Sequence, residues 1–434
     1  MSRQISNFDI ILFLVTILLV SIGIILLYSV GFNKDSLSTL YINQFIRAVI
    51  GLILMFLVFP ISLKKINAYS LHLYFITAFF LLLTLIFGKE VNGTKAWLSI
   101  GPINLQFSEF AKIATILVLA KYLDYHYKEI DTITDFVVPF LIIIFPIFLI
   151  LLEPDLGSTL VLFPILFAML YLADANVKNI TAFITIGIIS VILPLFISYY
   201  QFTSSSELPL WMRLITNKTI LFSIVGLFLI IVFILKIIYL LYKHITLLNT
   251  LSNILLIIVV SLFFSFTIQH SLKPYQKKRL LVFVNPKIDP YGSGYNIIQS
   301  KITIGSGEFN GKGYLKGPQT QLGFLPEQQT DFIISVAGEE FGWVGMMGIY
   351  ILYFILILRG LKITYTARTV YAALIACGIT TMFIFQVFIN IGMTIGLMPV
   401  TGIPLPFLSY GGSSLIASMI AVGLLLNISS QRYG

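Results

Sequence analysis

Runs of about twenty apolar residues recur along the chain, parted by short polar breaks. The first, residues 8–31, reads FDIILFLVTILLVSIGIILLYSVG. Crossing a hydrocarbon core takes ~20 apolar residues per helix, whereas a membrane strand needs only ~9–11. Inside lipid the backbone has no water to bond, so runs of this length must close their hydrogen bonds as helices. That constraint predicts an all-α polytopic membrane protein. Composition agrees: 58% of residues are hydrophobic and 10% charged, against about 25% charged in ordinary soluble domains.

Twelve spans are expected, at 8–31, 43–63, 70–88, 106–123, 135–152, 155–173, 178–200, 219–242, 249–268, 331–358, 367–396 and 403–428. Residues 269–330 form one long polar loop, and residues 1–434 read as a single integral membrane domain. The first run lacks a small-residue cleavage site, so it reads as a retained span and not a signal peptide. The single cysteine, Cys377, allows no intrachain disulfide. His72, His126, His244 and His270 show no metal-ligand spacing. The net charge of +9 is spread too thinly to suggest nucleic acid as a partner.

Positive charge sets orientation. With the N-terminus inside, the inner segments hold eleven Lys and Arg (Arg3, Lys64, Lys65, Lys121, Lys128, Lys178, Lys243, Arg359, Lys362, Arg368, Arg432). The outer short loops hold six (Lys34, Arg47, Lys89, Lys95, Arg213, Lys218). Both termini are therefore expected in the cytoplasm. Nine spans precede the long loop, an odd number, which places the loop outside.

Charge within a span is costly, ~2.5–3.5 kcal/mol per residue at a helix centre on insertion scales, and usually has a partner or a task. In LQFSEFAKIATILVL, Glu109 and Lys112 stand three apart and share a helix face, so they can pair. They either hold helices in register or line a polar cavity. In EPDLGSTL, Asp155 follows Glu153 at a turn and is placed to cap the next helix. Of Glu339 and Glu340, at least one should face protein. All these acids fall in the outer half, whereas the inner half has Lys236 near a helix end, where it can snorkel, and little else. A carrier would show polar groups near the midplane. A one-sided cluster suits chemistry at the outer leaflet.

The long loop holds eight basic residues (Lys273, Lys277, Lys278, Arg279, Lys287, Lys301, Lys312, Lys316) against three acids (Asp289, Glu308, Glu327). That surplus would attract an anionic headgroup or a diphosphate. YNIIQSKITIG is compatible with a short interfacial or re-entrant helix. In KIDPYGSGYN, Pro290 biases Asp289 toward an extended backbone, and Gly292 and Gly294 suggest a compact turn. Asp289 is either an ordinary turn acid or a general base held by that turn.

Five blocks carry a resemblance: NGTKAWLSIGPINLQFSEFAKI (92–113), EPDLGSTLV (153–161), NPKIDPYGSGYNIIQSKITIGSG (285–307), GPQTQLGFLPEQQTDFIISVAGEEFGWVG (317–345) and NIGMTIGLMPVTGIPLPFLSYGGSS (390–414). The chain resembles the SEDS family of cell-wall polymerases, in its RodA elongation branch. The resemblance implies a SEDS-type helical bundle and an inverting peptidoglycan glycosyltransferase. Its substrate would be lipid II, polymerised into β-1,4 glycan at the outer face of the bacterial plasma membrane.

It implies Asp289 as catalytic residue, with Glu109, Lys112 and Asp155 as cavity or structural groups. Lys95, Trp97, Lys301, Glu339, Ser409 and Gly411 fall in the matching blocks and are expected at the substrate. A divalent cation, Mg or Mn, would assist, with no organic cofactor. The implied partners are a class B penicillin-binding protein and other membrane proteins of the elongation complex. The family has ten spans, so a helical hairpin at about 201–268 is additional. A lipid II flippase shares this fold class and lipid substrate but predicts translocation without glycan. A non-catalytic scaffold for the penicillin-binding protein would keep partner recruitment after loss of every acid named here.

Overall fold

The computed structural model describes residues 8–32, 37–91, 94–100, 103–203, 209–242, 245–271, 282, 285–286, 289 and 292–431. The chain divides into two compact units, one of residues 1–176 with 296–434 and one of residues 177–295.

In the larger unit the helices are α1 (Ile10–Gly31), α2 (Leu40–Val58), α3 (Leu63–Phe87), α4 (Phe107–Tyr125), α5 (Val137–Leu152) and α6 (Leu156–Leu172). The smaller unit holds α7 (Val177–Thr203), the short α8 (Leu210–Thr216), α9 (Lys218–Leu241) and α10 (Thr246–Ser271). There follow α11 (Ser293–Ser306), α12 (Pro318–Leu322), α13 (Ile333–Thr366), α14 (Val370–Thr394) and α15 (Gly412–Ser430). All twelve expected spans are helices. Among the described residues ten helices are long and apolar enough to cross a membrane; α4, with its buried charges, and the 17-residue α6 fall outside that measure. The chain is a multi-pass membrane protein. The segment expected to hold an additional hairpin forms α9 and α10, and α10 packs against both α7 and α9.

Three features depart from the sequence reading. A small antiparallel sheet, β1 (Lys89–Val91), β2 (Thr94–Ile100) and β3 (Ile103–Leu105), lies between α3 and α4 where only a loop was expected. Register pairs Lys89 with Trp97 and Leu98 with Leu105. The dipeptides between the strands, Asn92-Gly93 and Gly101-Pro102, are turn signals that the apolar-run reading passed over. The last helix starts at Gly412 and not at 403, because residues 401–411 carry prolines that cannot donate to a helix ladder. Arg47, counted above with the loops, lies within α2.

The larger unit has two polar ends. At one, Arg359 of α13 grips Asp9 with Nε 3.0 and Nη2 2.6 Å from Oδ2, while Asp9 also caps α1. Asn427 of α15 donates to the carbonyls of Phe59 and Ile61 beyond the end of α2, both at 2.6 Å. At the other end lie the turns that join α5 to α6, α12 to α13 and α14 to α15.

Helix α13 is broken at Gly342, whose φ of +64° and ψ of −164° leave the helical region. A break in a span orphans backbone groups that lipid cannot satisfy. The segment after α11 satisfies them. Lys312 and Gly313 donate N–H groups to the carbonyls of Glu339 (2.8 Å) and Glu340 (3.0 Å), and Trp343 and Val344 donate to those of Glu308 (3.0 Å) and Phe309 (3.2 Å). A Cβ on Gly342 would stand 2.3 Å from the nitrogen of Gly311, so only glycine permits this stitch.

Candidate functional site

Two places carry the chemistry-bearing residues: the turn before α11, in the smaller unit, and the loop end of the larger unit.

In the turn, the carbonyl of Asp289 accepts N–H groups from Gly292 (3.3 Å) and Gly294 (3.0 Å), and Tyr295 donates to Gly292. The Asp289 carboxylate folds back over Gly292, where an added Cβ would meet Oδ2 at 2.3 Å. A Cβ on Gly294 would meet the carbonyl oxygen of Pro286 at 2.2 Å. The two glycines expected to make a compact turn therefore do so, one under the carboxylate and one under the backbone. Pro290 lies outside the described residues, as do Lys273, Lys277, Lys278, Arg279 and Lys287. Asp289 itself is half-buried.

At the loop end, Asp155 caps α6 as expected and does more. Its Oδ1 accepts the N–H of Ser158 at 3.0 Å. Its Oδ2 accepts from the amide of Gln106 (2.8 Å) and the hydroxyls of Ser158 (2.7 Å) and Ser108 (3.3 Å). One carboxylate thus ties the N-termini of α4 and α6, where negative charge offsets the positive helix ends. The backbone N–H of Gln106 continues the chain of bonds to Ser413 Oγ in α15, at 2.8 Å.

One helical turn into α4, Lys112 Nζ lies 2.7 Å from Glu109 Oε1, and the two residues are 1% and 3% exposed. The pair foreseen from spacing is therefore fully desolvated, which makes each partner a requirement for burying the other. Glu153, at the end of α5, has no exposed surface, and neither carboxylate oxygen accepts a hydrogen bond among the described residues. Burial, and then the charge of Asp155, push its pKa up to about 8. At neutral pH Glu153 is therefore mostly a neutral acid beside a carboxylate that four donors engage.

Both acids of VAGEEFG are buried. Glu339 takes the N–H groups of Gln319 and Thr320, each at 2.8 Å, and the Thr320 hydroxyl at 2.6 Å. It anchors α12 to α13. Glu340 accepts from the Ser29 hydroxyl of α1.

Ser409 is buried in the turn before α15, donating to the carbonyl of Thr330 (2.5 Å) and accepting from Leu405 N–H (2.8 Å). Gly411 donates its N–H to Gln44 Oε1 at 3.4 Å, and Gln44 Nε2 donates to the Ser409 carbonyl at 3.1 Å. Lys301, exposed on α11, lays its ammonium against Gly396, just past α14. Lys95 and Trp97 alternate with buried Ala96 on β2 and so share the other face of the sheet.

Gln44, Arg47, Gln106 and Ser413 were not singled out from sequence. For the polar three no local signal exists, because their partners stand between 49 and 367 residues away along the chain. Arg47 did carry a signal, a charge embedded in an apolar run.

A family model described as "Cell cycle protein", covering FtsW, RodA and SpoVE, matches residues 9–211 and 216–434. The chain is 39% identical over 451 aligned residues to "Peptidoglycan glycosyltransferase RodA" of Treponema pallidum, covering 99% of each. It is 33% identical to "Stage V sporulation protein E" of Bacillus subtilis over the full length of both. "Peptidoglycan glycosyltransferase MrdB" of Escherichia coli is 30% identical, over 89% of this chain and 84% of its own.

Among solved structures, a chain from work described as structural coordination of polymerization and crosslinking by a peptidoglycan synthase complex superposes with TM-score 0.69, at 27% identity and 98% coverage of both chains. The rod shape determining protein RodA of Thermus thermophilus shares the fold, with TM-score 0.61 at 24% identity and 98% coverage of both.

Proposed function

This chain belongs to the FtsW/RodA/SpoVE family, and from that membership we infer that it is a peptidoglycan glycosyltransferase that polymerises lipid II. The observation that carries the reading is end-to-end similarity, at 39% identity, to a protein named for that activity. The Asp289 turn supports it, since a general base needs a carboxylate held in one place.

In the reaction we propose, the Asp289 carboxylate accepts the proton of the 4-hydroxyl on the acceptor sugar. That oxygen attacks the anomeric carbon of the growing chain with inversion, forming the β-1,4 bond. Undecaprenyl diphosphate leaves, and cationic groups offset the charge developing on it. The resemblance also implies a divalent cation. Among the described residues no three His, Cys, Asp or Glu side chains stand together to hold a metal.

The positive-charge bias supports a plasma-membrane protein with both termini in the cytoplasm and this chemistry on the outer face. The similarity to a chain of a peptidoglycan synthase complex supports a cross-linking partner, which we take to be a class B penicillin-binding protein.

The test is purified protein incubated with lipid II and resolved on a gel for glycan polymer. The parent should yield polymer, and Asp289→Asn, folded by its melting curve, should yield none. Polymer from Asp289→Asn at the parental rate would remove Asp289 as base. Translocation without polymer from the parent would make the chain a flippase.

A further inference from the structure

Arg47 is a cation inside an apolar helix whose charge, among the described residues, has no opposite beside it. It stands seven residues into α2, ~10 Å along the axis. Elsewhere in the larger unit, buried Lys112 pairs with Glu109 at 2.7 Å and half-buried Arg359 pairs with Asp9 at 2.6 Å. Among the described residues no carboxylate pairs with Arg47. Its guanidinium instead lies over the ring of Tyr410, 4.8 Å from the centroid. It also presses on the first residue of α15, where a Cβ on Gly412 would meet Nε at 2.9 Å.

The rest of the neighbourhood adds positive character. Gly411, which precedes α15, offers no side-chain cap, so the helix start keeps its N–H groups and its partial positive charge. The serine oxygen one residue further, Ser413 Oγ, is occupied in accepting from Gln106. Gln44, one turn before Arg47 on the same face of α2, holds the loop through Ser409 and Gly411. The guanidinium is thus positioned by a bonded loop.

Its flanks differ: Gln44 and Ala48 are buried, whereas Phe45 and Ile46 are exposed on the face of a membrane helix. The charge therefore sits at the seam between lipid and loop end. A planar guanidinium without a carboxylate matches phosphate oxygens in a bidentate fork.

We propose that Arg47, seated between Tyr410 and Gly412, is an anion-binding residue that holds the diphosphate of the lipid-linked substrate. The proposal rests on the reading of this chain as a lipid II polymerase. The same chemistry would fit the phosphate of a bulk anionic phospholipid, so the test must separate the two.

Full-length protein is placed in nanodiscs of phosphatidylcholine alone, or with phosphatidylglycerol. Binding of undecaprenyl diphosphate is measured by native mass spectrometry, and lipid II polymerisation by initial rates. Arg47→Gln should weaken diphosphate binding and raise KM at least about tenfold, as loss of a charge-assisted pair implies. Arg47→Lys should recover part of both. Gly412→Ala, whose new methyl meets only the end of a flexible side chain, should reproduce the defect with the melting temperature retained.

Parental binding and KM for Arg47→Gln in phosphatidylcholine would overturn the proposal. A defect seen only with phosphatidylglycerol present would overturn it too, assigning the site to bulk phospholipid. Should the parent make no glycan, the polymerase reading fails, while the binding arm still decides whether Arg47 holds a diphosphate.

Discussion

Thr320 donates both its backbone N–H, at 2.8 Å, and its hydroxyl, at 2.6 Å, to Oε2 of Glu339, a residue with no exposed surface. An acid on a membrane helix is thereby used up by a loop. Glu339→Ala leaves two backbone donors and a hydroxyl without an acceptor, at a cost of about 2–4 kcal/mol. The expected result is a lower melting temperature, with faster proteolysis confined to the α12 region. Unchanged cleavage there would show that the loop holds without this anchor.

Gly292 lies directly under the carboxylate of Asp289, the residue we propose as base, so Gly292→Ala should re-aim that carboxylate without unfolding an exposed turn. Displacing a catalytic group by an ångström can cost about a hundredfold in rate. Initial rates against lipid II concentration should show kcat falling while KM stays close to parental. A rise in KM alone would mean that the turn binds substrate and does not position the base.

The Glu109–Lys112 pair predicts a cycle. Removing either partner strands a buried charge, at about 3–5 kcal/mol. Glu109→Gln combined with Lys112→Met removes both charges, and should recover most of the stability and of the polymerase rate. Recovered stability with no polymer would place the pair on the substrate's path.

Glu153 predicts a pH dependence whose sign follows from its raised pKa. The folded protein keeps the proton up to about pH 8, whereas the unfolded chain releases it at about 4.5. Between those values the unfolded state binds fewer protons, so this acid lowers stability as pH rises, fully so above about 8. Glu153→Gln removes the effect. The variant should melt higher than the parent at pH 8, by a difference worth about 2–4 kcal/mol, and together with it near pH 4. A gap that widened toward acid would mean that Glu153 is ionised and paired.

Much of the fold was legible because lipid admits so few solutions. A run of twenty apolar residues must be a helix, and all twelve runs are. The spacing of Glu109 and Lys112 likewise announced a pair, since three residues are most of a helical turn. Gly292 and Gly294 announced a turn because only a missing Cβ allows such close approach. The strands between α3 and α4 escaped, being too short to show a period. The broken helix at Gly342 escaped because a glycine inside an apolar run looks like any other packing glycine.

What the sequence determined by itself is local and energetic: which segments enter the membrane, which charges need a partner, and which family the chain resembles. Tertiary structure decided what each polar group does once there. It gave Asp155 to two helix ends, Glu339 to the short α12, Ser409 to the turn before α15, and left Arg47 over Tyr410 with no acid beside it among the described residues. The reason is that a buried polar group takes whatever donor or acceptor the packing brings within 3 Å. Partners such as Gln44 with Ser409, or Gln106 with Ser413, are more than 300 residues apart along the chain. No spacing rule reaches that far.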